Sequence, residues 1–323
     1  MRVGFIGLGN VGGKLAGSLV RNGVDTTVLD LDPARMAPLL EAGAGAGESP
    51  AQLARDCHAV VTCLPSPAAS AAVLEGEDGL LQGLTPGTIW MEMSTTDAEE
   101  VRRLGALVAA KGGEAVDCPV SGGCHRAATG NIAILAGCER ATFERILPLL
   151  TVMGRQVLHA GGLGNASVLK VITNYLATAN LLSVCEALSV AKGAGMDLGT
   201  AYEAIRISSG NSFVHETEGQ VILNGSREID FTMGLVAKDI GLFQALADRA
   251  GVPLELNPLM VSIFEDGIGR WGADANSPSI IRRIEERAGL DVTAPGFPAE
   301  MQDDEPEGRG AEVTARRAQA AAR

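Results

Sequence analysis

The first 160 residues alternate between short apolar runs and stretches with helical periodicity. Residues 2–6, RVGFI, form a brief apolar run, and Val11, Leu15, Leu19 and Val20 then recur at helical spacing. Further short runs lie at 25–30 (DTTVLD), 59–64 (AVVTCL), 88–93 (TIWMEM), 115–118 (AVDC), 132–136 (IAILA) and 156–159 (QVLH). Most are rich in β-branched residues and read as strands. One intervening helix is predicted from Asp97 through Val101, Leu104 and Val108. Strands alternating with helices predict an α/β, Rossmann-like doubly wound sheet. The pattern changes after Gly164. From Ser167 to Gly193 apolar residues keep helical spacing without an internal Pro or Gly, and more helical stretches follow at 199–207, 215–224, 234–249 and 256–269. The expected organisation is a dinucleotide-binding domain over 1–163 and an all-α C-terminal domain over 164–295. Residues 296–323 turn acidic and then Ala/Arg-rich, and are expected to form a disordered tail.

Composition narrows the function classes. The 323 residues suffice for two domains, and 46% are apolar, enough for a large core. A net charge of −13 argues against nucleic acid or an anionic membrane as partner, although Asp303, Asp304, Glu305 and Glu307 concentrate part of it in the tail. The longest apolar stretch, 168–190, is interrupted by Lys170, Asn174, Asn180 and Glu186, so no membrane span is expected. The N-terminus lacks the pattern of a secretory leader. Six cysteines without C-x-x-C spacing read as buried thiols of a reducing, cytoplasmic protein, and four histidines without H-x-x-x-H spacing give no expectation of a metal site.

The first chemical signal is Gly7-Leu8-Gly9-Asn10-Val11-Gly12, a G-x-G-x-x-G between a strand and a helix. Gly7 permits the turn, Gly9 lets a pyrophosphate approach the backbone, and Gly12 lets helix and strand pack closely; the helix N-terminus offers N–H donors. Asp30 ends the second strand, 23 residues after Gly7. There an acid accepts from the adenosine ribose hydroxyls and repels a 2′-phosphate. Leu31 and Asp32 supply no cation for that phosphate, and Arg35 lies a turn further on, so NAD is expected over NADP. Asp32-Pro33 reads as a helix cap. The strand ends at Leu64-Pro65 and Ser94-Thr95 are placed to line the crevice of such a sheet.

Two further constellations carry candidate chemistry. Lys170 and Asn174 stand four apart among Val168, Leu169, Val171, Ile172 and Leu176, and so share a helix face. Desolvating an ammonium favours its neutral form, which can exchange a proton with a hydroxyl or carbonyl oxygen. The alternative is a surface Lys/Asn pair on an amphipathic helix. Ser121-Gly122-Gly123 follows a strand and presents a hydroxyl and unobstructed N–H groups, a cradle for a small carboxylate or simply a tight turn. His125 and Arg126, just after this loop, are candidates to contact an extra anionic group, but exposed positions at a helix start are the expectation.

Taken together, GFIGLGNVG (4–12), CLPSP (63–67), MSTTD (93–97), DCPVSGGCHRAATGNIAIL (117–135), GNASVLKVITN (164–174) and FTMGLVAKDIGL (231–242) resemble the β-hydroxyacid dehydrogenases, the group around 3-hydroxyisobutyrate dehydrogenase and tartronate semialdehyde reductase. The resemblance spans roughly residues 1–290. It implies Lys170 as catalytic lysine, Asn174 with Ser121, Gly122 and Gly123 as substrate contacts, and Leu64, Pro65, Thr95 and Lys238 as cofactor contacts, with Phe231 walling the nicotinamide. It also implies a small 3-hydroxy acid such as 3-hydroxyisobutyrate or glycerate/tartronate semialdehyde, NAD with NADP possible, and a homodimer or homotetramer. Glu92-Met93, Gly164-Asn165-Ala166 and Thr173 depart from the family pattern and weaken any choice of substrate. A short-chain dehydrogenase is excluded, because Tyr175 and Tyr202 are not followed by a lysine four residues on. An imine reductase on the same fold and a non-catalytic NAD-binding protein stay open as alternatives.

Overall fold

The computed structural model describes residues 1–314. The described chain forms two compact units, Met1–Lys170 together with residues 303–314, and Val171–Gln302. The first unit carries one mixed sheet. Its strands are β1 (Val3–Ile6), β2 (Thr26–Leu29), β3 (Gly45–Ala46), β4 (Ala59–Thr62), β5 (Ile89–Glu92), β6 (Glu114–Asp117), β7 (Val120–Ser121), β8 (Ala133–Gly137), β9 (Gln156–Gly161) and β10 (Ala311–Val313). Their order is β10-β9-β8-β6-β5-β4-β1-β2-β3, with β7 paired to β8 off the path.

The six strands from β3 to β6 are parallel. β8 runs antiparallel to β6 and β7, and β9 parallel to β8. Every residue of β1, β4 and β5 is buried, because helices cover both faces. That burial is why these strands read as continuous apolar runs rather than alternating ones. Their side chains pack with Leu15, Leu19, Phe143 and Ile146 on one side and with Leu53, Leu74 and Leu104 on the other. The Rossmann-like expectation is met. The missed strands β3 and β7 have two residues each, too few to show a period.

The second unit is helical. Its core gathers Leu181, Val184 and Leu188 with Met233, Ile240, Phe264 and Ile281. The long helix spans Asn165–Gly193, so the division falls at Lys170/Val171 inside that helix rather than in the loop before it. By length and mean hydropathy this helix would suffice to cross a bilayer. The stretch expected as one helix over 215–224 is two, Phe213–Glu216 and Glu218–Asn224, broken at Thr217 with φ −116° and ψ −78°.

The expectation of a disordered tail from residue 296 needs correction. Asn224 and Ser226 donate to the carbonyls of Phe297 and Ala299 in the second unit, 2.8 and 2.6 Å. From Asp303 the chain lies on the first unit, where β10 extends the sheet beside β9. Its acids find donors there: Glu305 meets Arg155, Glu307 meets Arg21 and Asn22, and Glu312 meets Arg140. Residues 315–323 of the expected tail lie outside the described residues.

Candidate active site

The glycine loop joins β1 to the helix Gly12–Arg21. Gly7 has φ +92°, and a Cβ there would fall 2.3 Å from the Cys63 carbonyl oxygen; one on Gly12 would fall 2.1 Å from the Gly7 oxygen. Only glycine fits either position. A Cβ on Gly9 would meet nothing nearer than the Arg35 guanidinium at 3.3 Å, so this backbone is open to approach. The helix begins without a side-chain cap and without an acid in its first turn. Its N-terminal donors and dipole suit a pyrophosphate. The residues present therefore fit a dinucleotide.

Asp30, half-buried after β2, accepts from Leu8 N at 2.6 Å and from Asp32 N at 2.9 Å. It thereby ties the loop to the end of the second strand. Leu31 is fully exposed beside it. Asp32 caps the next helix through Ala34 N, with Pro33 at its start. The Arg35 guanidinium, 3.3 Å from where a Gly9 Cβ would stand, lies 3.7 Å from the Asp32 carboxylate.

At the neighbouring strand ends, Leu64 N donates to Ser94 Oγ at 2.7 Å, and Ser94 N donates to Glu92 Oε1 at 2.8 Å. Ser94 is thus a bridge between the ends of β4 and β5, and Asp97 caps the helix that follows. Glu92 is 1% exposed, and burial pushes its carboxyl up, opposed by Ser70, Ser94 and Thr62 around it. Thr95 is half-buried and Pro65 exposed at the same ends.

Ser121 pairs with Ala133 across β7 and β8. Gly122 and Gly123 have φ +131° and +85°, conformations that side chains disfavour. The His125 ring lies 2.8 Å from the Cβ position of Gly123, and the Arg126 stem 3.4 Å from that of Gly122. Both residues are half-buried inside the helix Gly123–Ala128, not exposed at its start. Burial and the Arg126 charge hold His125 below the usual imidazole range.

Asp117 joins this loop to the lysine. Its carboxylate accepts from Gly164 N and Ser167 N, both at 2.7 Å, and from Ser167 Oγ at 2.9 Å. These bonds fasten the first turn of the long helix to the end of β6, one turn before Lys170. Burial pushes Asp117 up and its donors pull it back. Lys170 is buried, 8% exposed.

Within the second unit, Asn174 Nδ2 donates to Asp239 Oδ2, and Lys238 Nζ lies 2.9 Å from Asp239 Oδ1. The buried Asp239 therefore brings two of the expected contacts together. Phe231 is half-buried, and its carbonyl accepts from Ser277 N at 2.8 Å. Among the described residues no group of three or more His, Cys, Asp or Glu is placed to hold a metal.

Two family models match the chain. One, described as the NAD binding domain of 6-phosphogluconate dehydrogenase, covers residues 2–162; the other, NAD-binding of NADP-dependent 3-hydroxyisobutyrate dehydrogenase, covers 164–284. The chain belongs to the β-hydroxyacid dehydrogenase family. It is 32% identical over 294 residues to 2-(hydroxymethyl)glutarate dehydrogenase of Eubacterium barkeri, covering 91% of this chain and 98% of that one. Identity to a probable mitochondrial 3-hydroxyisobutyrate dehydrogenase of Dictyostelium discoideum is 33%, over 79% of this chain and 81% of the relative. The crystal structure of 3-hydroxyisobutyrate dehydrogenase from Salmonella typhimurium superposes with a TM-score of 0.81 at 29% identity, covering 88% of this chain and 99% of that one. An imine reductase from Myxococcus stipitatus shares the fold, with a TM-score of 0.60 at 16% identity over 88% of this chain and 99% of that one.

Sequence reasoning gave no role to Glu92, Asp117 or Asp239 in this β-hydroxyacid dehydrogenase. Each is an acid among apolar neighbours at a strand end or on a helix. That is a signal of a satisfied buried carboxylate, but it does not name the donors.

Proposed function

We propose that the chain is an NAD-dependent dehydrogenase of a small 3-hydroxy acid, with Lys170 as general acid/base. The observation that carries the reading is the Asp117 tie. It joins the strand leading to Ser121-Gly122-Gly123 to the helix turn that precedes a buried lysine. That arrangement supports a reading with the substrate carboxylate on the loop and its hydroxyl toward Lys170.

When bound, the nicotinamide accepts or returns a hydride at its C4. Gly7–Gly12 holds the pyrophosphate, Asp30 the ribose, and Leu64, Pro65 and Thr95 line the crevice. Ser121, Gly122 and Gly123 bind the substrate carboxylate. Lys170 Nζ takes the hydroxyl proton in oxidation and returns it to the carbonyl oxygen in reduction. Asn174, one turn further along the helix, orients that oxygen, and Asp239 orients Asn174. The family resemblance assigns Lys238 and Phe231 to cofactor binding as well.

The preference for NAD rests on Asp30 and on the absence of a cation at Leu31. Candidate substrates are 3-hydroxyisobutyrate and glycerate, the latter paired with tartronate semialdehyde. A homodimer or homotetramer is proposed because Leu176 and Val190 stand exposed on the long helix. A cytoplasmic location is supported by six free thiols. The test is oxidation of a panel of hydroxy acids with NAD+ and NADP+, followed at the nicotinamide absorbance. Turnover of a 3-hydroxy acid supports the reading; turnover only of imines contradicts it.

A further inference from the structure

The segment beyond residue 302 lies past the end of the family match at residue 284. It nevertheless meets the first unit where the substrate loop closes. Ser121 leaves β7, the chain makes the six-residue helix Gly123–Ala128, and it returns through Thr129-Gly130-Asn131 to β8. One and a half turns of helix do not hold themselves. At the return, Asp303 Oδ2 accepts from Thr129 Oγ1 and from Asn131 Nδ2, the latter at 2.8 Å. Asn131, 4% exposed, also donates to the Glu305 carbonyl at 2.7 Å. Asn131 N in turn donates to the Arg126 carbonyl at 2.8 Å. Arg21 adds a second tie, donating to the Ala128 carbonyl at 2.7 Å and to Glu307 at 3.4 Å.

The segment is itself anchored beyond these contacts. Arg155 donates to Glu305 at 3.2 Å and to the Pro306 carbonyl at 2.9 Å. Gly310 N reaches the Thr151 carbonyl at 2.8 Å, β10 pairs with β9 over three residues, and Arg140 grips the Glu312 carboxylate at 2.5 and 3.0 Å. Anchored at its far end and bonded to the return of the loop, the segment works as a clamp. The Asp303 carboxylate also interacts electrostatically with Arg126 and His125, the two side chains that pack on Gly122 and Gly123.

We propose that the segment from Asp303 to Val313 is part of the substrate-binding apparatus, with Asp303 as a positioning residue for Ser121-Gly122-Gly123 through Thr129 and Asn131. The proposal rests on the reading that this loop binds the substrate carboxylate. The test uses the full chain, Asp303→Ala, and a chain ending at Gln302. Three quantities are measured: amide exchange of residues 120–132 by mass spectrometry, the NADH dissociation constant, and KM and kcat for the hydroxy acid.

Asp303→Ala is expected to speed exchange of 120–132 by about tenfold or more, with the rest of the first unit unchanged. It is expected to raise KM about tenfold, with kcat and NADH affinity within about threefold, because a loosened loop loses orientation rather than chemistry. The shortened chain does the same or more. Unchanged exchange and KM in Asp303→Ala overturn the proposal, as does exchange rising equally across the whole unit. If the parent protein oxidises no hydroxy acid, the functional reading fails, and the exchange data alone still decide whether the clamp exists.

Discussion

The carboxylate of Asp117 accepts from the backbone N–H of Ser167 at 2.7 Å and from its hydroxyl at 2.9 Å. Both residues are buried. A strand end of the sheet is thereby locked to the helix turn that precedes Lys170. Asp117→Asn presents an amide N–H to one of these donors and breaks the tie. The expected result is a fall in kcat of about 10- to 100-fold from misplacement of the lysine, with NADH affinity retained. Wild-type kcat in this variant contradicts the role.

Glu92 supports the crevice from below. Burial pushes its carboxyl up, so Glu92→Gln, which keeps an acceptor for Ser94 N, is expected to be close to neutral in stability. Glu92→Ala removes that acceptor, and a buried donor left without one costs about 1–3 kcal/mol. Through Ser94 and Leu64 N it also weakens NADH binding. Thermal unfolding and NADH titration of the two variants check this. Equal behaviour of Gln and Ala contradicts it.

The proposed preference for NAD rests on Asp30 and Leu31. Asp30→Asn with Leu31→Arg removes the charge facing a 2′-phosphate and adds a guanidinium beside it. The ratio of kcat/KM for NAD+ over NADP+ is expected to fall at least about tenfold, equivalent to ~1.4 kcal/mol. A parent enzyme that prefers NADP+ contradicts the assignment, and Arg35, whose guanidinium lies beside the glycine loop, then becomes the residue to change.

Glu218 gives stability a pH dependence. Its carboxyl is pushed up to about 7 by burial, opposed by a 3.2 Å bond from the Ser277 hydroxyl. An unfolded glutamate titrates near 4.3, at about the usual value. Between those values the folded chain binds the extra proton, so this contribution is full below the unfolded value. It is lost as pH rises toward about 7 and changes no further above it. Glu218→Gln should raise Tm at pH 8 relative to the parent and flatten the decline. An identical pH profile in both proteins contradicts the assignment.

Legibility in the sequence followed the range of the interactions. The strands β1, β4 and β5 were readable because burial on both faces makes them continuous apolar runs. The loop glycines were readable because the backbone at Gly7 and Gly12 leaves no room for a side chain. The ordered segment over residues 303–314 was not. Its acids look like solvated charge, and their partners Arg21, Arg140 and Arg155 lie 150 or more residues away. The same distance hid Asp117, whose donors are 47 and 50 residues on, and Asp239, 65 residues from Asn174. Lys238 reads as ordinary helix-surface charge, and only the family resemblance pointed to it.

The central claim is that Lys170 moves the proton for a hydride transfer on a hydroxy acid. The measurement that tests it most directly is nicotinamide absorbance in the parent protein and in Lys170→Ala, with the hydroxy acid that the parent turns over best. The account predicts a loss of kcat of about 10²- to 10⁴-fold in the variant, the range for removing a general acid/base, with NADH still bound. Near-full turnover by Lys170→Ala would contradict it.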